Sequence, residues 1–245
     1  MPAAAEVSAG HLLGGRVSYA QPRGGHRTGI EPVLLAAAVP ARPGERVLEA
    51  GTGAGAALLC LAARVPHLHG VGVERDPALA ALAADNLAAN ALADRFAVIA
   101  GDVSILPSLG TFDRACANPP WHDPSGTASP SAAREAAKRA MPGLLGLWAA
   151  ELAAPLRRRG SLTLIVPAAS LSEAVAALDG AGCGSVALLP LWPTSGRPAK
   201  LILLQGVKGS AGRCRVLPGL TLHQPEGSYT DEAEAILRDG ASLLV

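Results

Sequence analysis

The sequence predicts an α/β fold built on a mostly parallel sheet, and three observations carry that expectation. From about residue 46 onward, strand-like and helix-like runs alternate, the pattern of parallel strands joined by helical crossovers. A glycine-rich turn, Glu49-Ala-Gly51-Thr-Gly53-Ala-Gly55, follows the first of these strands directly. The last two strands, Ser185–Leu189 and Lys200–Gln205, are separated only by the loop 191–199. That loop has no room for a crossover helix, so the two strands are expected to be antiparallel neighbours.

The elements follow in order. Arg46–Ala50 reads as a strand, and a helix runs from Ala56 to Arg64. His69–Glu74 is the second strand. Pro77–Ala91 is a helix: Asp76 is placed to cap it, Pro77 suits its first turn, and Leu79, Leu82, Ala83 and Leu87 share one face. Phe96–Ala100 and Phe112–Ala117 are the third and fourth strands. Ala132–Arg158 is expected to be helical with a break at Pro142, so that Arg157-Arg158-Arg159 ends a helix, where cations suit the dipole. Ser161–Val166 is the fifth strand and Leu171–Asp179 a helix. With the final pair this makes a seven-stranded sheet with helices on both faces. Met1–Gly15 is expected to be a loosely packed lead-in, and Pro32 to lie in the first turn of a helix near Glu31.

Composition narrows the class. A chain of 245 residues can bury one large α/β core. Hydrophobic residues make up 49% and aromatics only 3%, so the core must be Ala, Leu and Val, and an aromatic in a polar loop carries more weight than usual. The mean hydropathy of +0.29 comes largely from alanine. The best apolar run, Gly143 to Leu156, contains Glu151 and Pro155 and is too short to span a bilayer. Met1–Gly15 lacks the basic and apolar regions of a secretory signal. Cys60, Cys116, Cys183 and Cys214 are scattered, which suits reduced, cytoplasmic cysteines with no disulfide, zinc or other metal role. A net charge of +1 argues against a dedicated non-specific nucleic-acid binder, yet leaves room for a local basic face.

Three acids stand at successive strand ends, the edge where open α/β sheets bind ligands. Glu49 sits near the end of the first strand, Glu74 ends the second and Asp102 follows the third. Glycines at 51, 53 and 55 permit positive φ and close approach of backbone to ligand. Glu74, with Arg75 beside it, can accept both hydroxyls of a ribose, and Asp102, next to Val103, can accept an adenine amino group. Glu49 would repel a pyrophosphate but hold an ammonium, which favours S-adenosylmethionine over NAD. Taken singly, Glu74–Arg75 also fits a solvated ion pair and Asp102 a turn residue.

Asn118-Pro119-Pro120-Trp121 follows the fourth strand. Two prolines fix φ and remove two backbone donors, leaving a rigid turn that presents the Asn118 amide oxygen and the Pro119 carbonyl as acceptors. A planar amine or amide nitrogen has two N–H donors and a delocalised lone pair. Two fixed acceptors can hold both hydrogens and favour the pyramidal, developing cationic nitrogen. The Trp121 ring can stack on a planar substrate.

With these residues in place, the chain resembles the Rossmann-like class I S-adenosylmethionine-dependent methyltransferases that carry an Asn-Pro-Pro-aromatic motif. Within them it is most similar to the bacterial adenine-N6 methyltransferases of valine tRNA. The resemblance rests on His26-Arg27-Thr28-Gly29-Ile30-Glu31, which looks like the segment covering the methionine end of the cofactor; on Asp85-Asn86 and Asn90; on Ala117–His122; and on Leu222-His223 with Ser228-Tyr229-Thr230 to Arg238. Trp stands at the last motif position, where Tyr or Phe is commoner. The resemblance implies one methyltransferase domain over 1–245, with 1–43 an N-terminal extension covering the cofactor site and 208–245 a C-terminal tail. It implies S-adenosyl-L-methionine as cofactor, Arg27, Thr28 and Gly29 among its contacts, and tRNA as partner, with no membrane association.

The substrate is less legible. Basic residues gather at Arg23/His26/Arg27, Arg134/Lys138/Arg139, Arg157–Arg159 and Lys208/Arg213/Arg215. Any of these could meet phosphates, and all could equally be solvated faces. The loop 123–131 is a candidate lid. N5-glutamine methylation of a protein such as a release factor needs the same motif, although those enzymes typically carry an N-terminal helical domain for which little room precedes residue 46. Adenine-N6 methylation of another RNA is also open. A non-catalytic binding module would not need the Asn118 and Pro119 acceptors, and an oxidoreductase is disfavoured by Glu49 and the terminal hairpin.

Overall fold

A computed structural model describes residues 6–24, 28–105, 108–120 and 143–245. Two strands precede the first expected one. β1 (Val7–Leu12) and β2 (Val17–Pro22) form an antiparallel hairpin, with Leu12 opposite Val17. The expectation of a loose lead-in is therefore corrected from Val7 onward. β1 shows little apolar alternation, so nothing in its side chains marked it. Its ladder is a backbone matter, and the residues that anchor the hairpin, Leu13, Val17 and Tyr19, are buried at its far end.

α1 (Glu31–Ala38) starts with Ile30 at the cap position and Pro32 in its first turn, where a missing N–H costs nothing. β3 (Arg46–Ala50), α2 (Ala56–Arg64) and β4 (His69–Glu74) follow with the expected bounds. α3 (Pro77–Ala89) is capped by Asp76, whose side chain accepts from the Ala78 and Leu79 amides. It stops two residues before the expected end, because Ala91 turns to positive φ. β5 (Phe96–Ala100) and β6 (Phe112–Ala117) also agree.

Beyond them, residues 132–142 of the expected helix lie outside the described residues; α4 (Leu144–Ala153) stops five residues before the expected end at Arg158, and β7 (Leu156–Pro167) begins at once after Pro155. Arg157–Arg159 therefore do not end a helix. Leu156 pairs with Phe112 and Ser161 with Arg114, so the arginines form a bulge at the start of β7, with Arg159 at φ 66°. α5 (Leu171–Gly180), β8 (Cys183–Thr194), β9 (Leu201–Lys208), β10 (Arg215–Val216), β11 (Leu220–His223) and α6 (Asp231–Asp239) complete the chain.

The main sheet runs β10-β8-β9-β7-β6-β3-β4-β5, with β11 also on β8. It has nine strands, where seven were expected. The seven form its body: β3 to β7 are parallel neighbours, and β9 lies antiparallel between β7 and β8, as the hairpin loop predicted. The two additions take successive parts of the outer edge of β8, Arg215 opposite Ala187 and Leu220 opposite Leu191. An exposed strand edge is a row of unpaired backbone groups, and covering it removes a liability. Strands this short, broken by Pro218 and Gly219, leave no periodic trace in the sequence.

Alternation along the strands separates two cores. Val47, Cys116, Ile165 and Leu203 face one side with Leu34, Leu58, Leu87 and Ile236, so α1, α2, α3 and α6 cover it. Leu48, Ala115, Leu164 and Leu204 face the other with Leu152 and Leu178 of α4 and α5. Both faces are covered, as parallel strands require. Among the described residues, no helix is long and apolar enough to cross a membrane.

The edge of the sheet where the parallel strands begin is held by ions. The Arg114 guanidinium donates to both Glu45 oxygens at 2.9 Å, Arg157 reaches Asp113 at 2.6 Å, and Asp113 accepts the Arg46 amide at 2.7 Å. The Arg114 and Glu45 side chains are only 13% and 10% exposed. Removing one partner strands the other charge, so Glu45→Ala is expected to lower unfolding free energy by about 3–5 kcal/mol. A urea titration read by circular dichroism checks this; an unchanged midpoint refutes it.

Candidate functional site

The chain passes from β3 to β4 to β5 in one direction and then crosses back to place β6 on the other side of β3. Ligands of open α/β sheets bind outside the carboxyl ends of the strands at such a reversal. Ala50 is level with Ala117 across the β3–β6 pair, so the glycine turn and Asn118 leave the sheet side by side, on strands roughly 4.8 Å apart.

The turn is built by its glycines. Gly51, Gly53 and Gly55 all have positive φ, of 66°, 57° and 87°. The Gly51 and Thr52 amides hook back to the Val73 carbonyl at the end of β4, and the Gly55 amide to the Thr52 carbonyl. A side chain on Gly53 would meet nothing within 4 Å, so that face of the turn is open to a ligand. Glu74 sits across from it. One of its oxygens accepts the Gly53 amide at 2.8 Å and the other the Asp76 amide at 2.9 Å. The carboxylate is thus oriented by backbone donors, and it makes no ion pair with Arg75 among the described residues. Asp102 has the turn role: its Oδ1 accepts the Ser104 amide at 2.9 Å and hydroxyl at 2.8 Å, bonds that hold its pKa below the usual carboxylate range. Val103 behind it is buried.

Glu49 is 4% exposed. Burial pushes its pKa up to about 7; the Thr52 hydroxyl, donating at 2.6 Å, opposes the shift and the Glu74 charge adds to it. Its charge in turn acts on Tyr19, Cys60 and Cys116, whose hydroxyl and thiols burial already pushes up, Cys60 to about 12. Both cysteines are therefore neutral and unreactive. Tyr19 comes from β2. Its hydroxyl bonds the Thr28 hydroxyl at 2.7 Å, and the Gln21 amide oxygen accepts the Thr28 amide at 3.0 Å. The hairpin thereby carries Thr28 and Gly29 to the Glu49 side of the turn, a connection that the apolar pattern of the sequence did not reveal.

At the end of β6, Pro119 is buried and Pro120 exposed. The Asn118 amide oxygen is shut off from solvent and has no hydrogen-bond partner among the described residues. A buried acceptor left unmade is costly, of order 1–3 kcal/mol, so it marks a place for a donor. Trp148 of α4 is a further residue that sequence reasoning missed. A side chain on Gly51 would lie 2.8 Å from its ring, so the indole backs the turn. It stood inside a leucine- and alanine-rich run that reads as plain core.

The structure therefore gathers Thr28, Gly29, Glu49, Gly51, Thr52, Gly53, Gly55, Glu74, Arg75, Asp102, Val103, Asn118, Pro119 and Pro120 at one edge. Arg27, Trp121, the basic residues Arg134, Lys138 and Arg139, and the candidate lid 123–131 lie outside the described residues. Lys208 is opposite Cys183 and Arg215 opposite Ala187, so with Arg157–Arg159 they stand at the far edge of the sheet, away from Asn118. Among the described residues, no cluster of three or more His, Cys, Asp or Glu side chains has metal-binding spacing.

Residues 30–144 match the family described as the methyltransferase small domain. This segment, a little under half of the chain, is similar to that domain. A Bacteroides thetaiotaomicron protein named tRNA1(Val) (adenine(37)-N6)-methyltransferase is 30% identical over 142 residues, 58% of this chain and 60% of that one. The chain thus spans less than two thirds of that relative. A Dickeya chrysanthemi protein of the same name is 26% identical over 223 residues, 87% of each chain. Among solved structures, a predicted O-methyltransferase from Agrobacterium tumefaciens has a TM-score of 0.73 and 25% identity, over 87% of this chain and 98% of that one. The fold is that of the class I methyltransferases, and its mostly parallel seven-strand body with an antiparallel β8–β9 hairpin agrees with the sequence reading.

The buried carboxyl makes the domain's stability depend on pH. The folded protein keeps a proton on Glu49 up to about pH 7, whereas the ordinary value is 4.5. Between those values the folded state binds more protons than the unfolded chain, so this contribution falls as pH rises from 4.5 to 7 and is level above. Without ligand, the stability difference between the wild type and Glu49→Gln should shift against the wild type across that window. Denaturation series at pH 5, 6, 7 and 8 measure it, and a flat difference contradicts the assignment.

Proposed function

We propose that this methyltransferase transfers the methyl group of S-adenosylmethionine to the exocyclic N6 amino group of an adenine in tRNA. The observation that carries the reading is the buried amide oxygen of Asn118, without a partner among the described residues, beside the glycine turn at the reversal point of the sheet. The names of the Bacteroides and Dickeya relatives support the substrate.

The residues present fit the cofactor. The three glycines in the left-handed region, with open space over Gly53, make a cradle that side chains would fill. Glu74, oriented by two amides, retains lone pairs for two ribose hydroxyls. Asp102 and Val103 take the adenine end, with Arg75 beside the ribose. Glu49 and Thr52 take the ammonium of the methionine end, and Arg27, Thr28 and Gly29 cover it. When bound, S-adenosylmethionine supplies an electrophilic methyl group on a sulfonium. The full chain, 1–245, acts as one domain in which 1–43 cover the cofactor site and 208–245 form a tail.

The protein's part in the chemistry is orientation and electrostatics. The Asn118 amide oxygen and the Pro119 carbonyl accept the two N–H donors of the adenine amine. This turns the nitrogen lone pair out of conjugation and stabilises the positive charge that grows on it. The prolines hold both acceptors in place, so no reorganisation accompanies the reaction. Trp121 stacks on the base, a contact worth about 1–3 kcal/mol. An adenine stacked in RNA has to be turned out to reach these groups, at a cost of a few kcal/mol.

Purified protein with labelled S-adenosylmethionine and total tRNA is expected to yield N6-methyladenosine on nucleoside analysis. Asn118→Ala should lower the rate by about 10²–10³-fold, the usual cost of one such acceptor or donor, while cofactor affinity stays within severalfold. Label in cell protein instead of tRNA would move the activity to glutamine amides. No label in either, with the cofactor bound, would refute the substrate assignment.

A further inference from the structure

We propose that Asn86 is a positioning residue that ties the N-terminal hairpin to the glycine turn, so that the two walls of the cofactor site close as one unit. The proposal rests on the reading of that site as one for S-adenosylmethionine.

The observation is a helix whose side chains act as a strand. Asn86 and Asn90 stand one turn apart on α3, a rise of about 6 Å. Ser18 and Ala20 are two residues apart on β2, a rise of about 6.6–6.8 Å. Successive residues of a strand turn their backbone groups to opposite edges, so Ser18 and Ala20, two apart, both offer the edge that β1 does not use. The Asn86 amide oxygen accepts the Ala20 N–H at 2.9 Å, and its nitrogen donates to the Ala20 carbonyl at 2.8 Å. Asn90 repeats this on Ser18 at 3.0 and 2.8 Å. Each amide thus supplies the donor and acceptor that a neighbouring strand would.

The two asparagines differ in their second donor. Asn90 spends it on the Asn86 carbonyl within its own helix, at 2.8 Å. Asn86, 4% exposed, spends it on the Ala54 carbonyl inside the glycine turn, at 2.9 Å. A single amide therefore holds Ala20 and Ala54 together. From Ala20 the flanking residues Tyr19 and Gln21 hold Thr28, which covers the Glu49 side. From Ala54 the chain runs directly to Gly53 and Gly55. Gly55 itself lies against Ala83 of α3, 3.4 Å from where a side chain would begin, so the turn, the helix and the hairpin are in mutual contact. Both elements that Asn86 joins flank the proposed ligand, and neither bond involves a group proposed to touch it. Coupling of this kind is reciprocal: if the clasp promotes cofactor binding, cofactor binding must protect the clasp.

Three measurements test this on the full chain. In the wild type, hydrogen exchange of the Ser18 and Ala20 amides should slow when S-adenosylmethionine is added. By isothermal titration, Asn86→Ala and Asn86→Asp, which both lose the two donated bonds, should weaken cofactor binding about tenfold, as loss of a buried hydrogen bond does. Asn90→Ala, which loosens the hairpin equally but leaves Ala54 alone, should change it by no more than about twofold. The rate at saturating cofactor should be retained in all three. Wild-type binding without any change in exchange overturns the proposal even if the variants fail to fold. So does equal weakening by Asn86→Ala and Asn90→Ala, which would mean simple anchoring. A wild type that binds no S-adenosylmethionine would sink the cofactor reading first, and this proposal with it.

Discussion

The pairing of β3 with β4 on one side and β6 on the other governs the rest of the molecule. A strand between two parallel neighbours must send its chain out at the same edge as both, and Ala50, Val73 and Ala117 end level there. The groups that follow them in sequence, the glycine turn, Glu74 and Asn118, are then neighbours by construction. No long-range contact between the turns is needed to assemble them. The hydrogen-bonded sheet sets the spacing, and the two apolar cores on its faces hold it rigid.

That rigidity permits an uncomfortable group. Glu49 lies on a central strand, one residue before its end, facing a core of α1, α2 and Cys60. A carboxylate there is expensive, and among the described residues it is met by no cation but by one side-chain hydroxyl, from Thr52. An acid stabilised for its own sake would have been treated as Glu45 is, with Arg114 and Arg157 around it. The contrast between the two glutamates separates architecture from chemistry. At the edge where the parallel strands begin, charges are paired. At the opposite edge, Glu49, Glu74 and the Asn118 oxygen are left with capacity for something else.

Sequence reasoning reached this division only partly. Local elements with strong signals, from Arg46–Ala50 to Phe112–Ala117, were legible because capping, glycine placement and apolar period agreed. The acids at the strand ends and the Asn-Pro-Pro turn were legible because each stands next to such an element. What escaped depends on the third dimension. β10 and β11 exist because β8 leaves an edge uncovered, which no local pattern records. Arg157–Arg159 looked like a helix end because the chain before them is apolar, but Pro155 stops the helix and the bulge against Phe112–Arg114 takes them into β7. Trp148 was hidden in a core-like run, and only the missing side chain of Gly51 explains why a ring of that size fits there.

The hairpin shows the same limit from another direction. β1 is a short, glycine-containing strand whose side chains are mostly exposed, and by propensity it should not persist as a strand in water. It persists because β2 is held on its other edge by Asn86 and Asn90. Asparagine is a poor helix former because its amide competes for backbone groups. On α3 that competition is turned outward, onto the backbone of another segment. Two residues that weaken the helix locally therefore order a whole hairpin, and an uncharged amide does so without adding another buried charge beside Glu49. The weakness of the local signal and the strength of the tertiary contact have one cause.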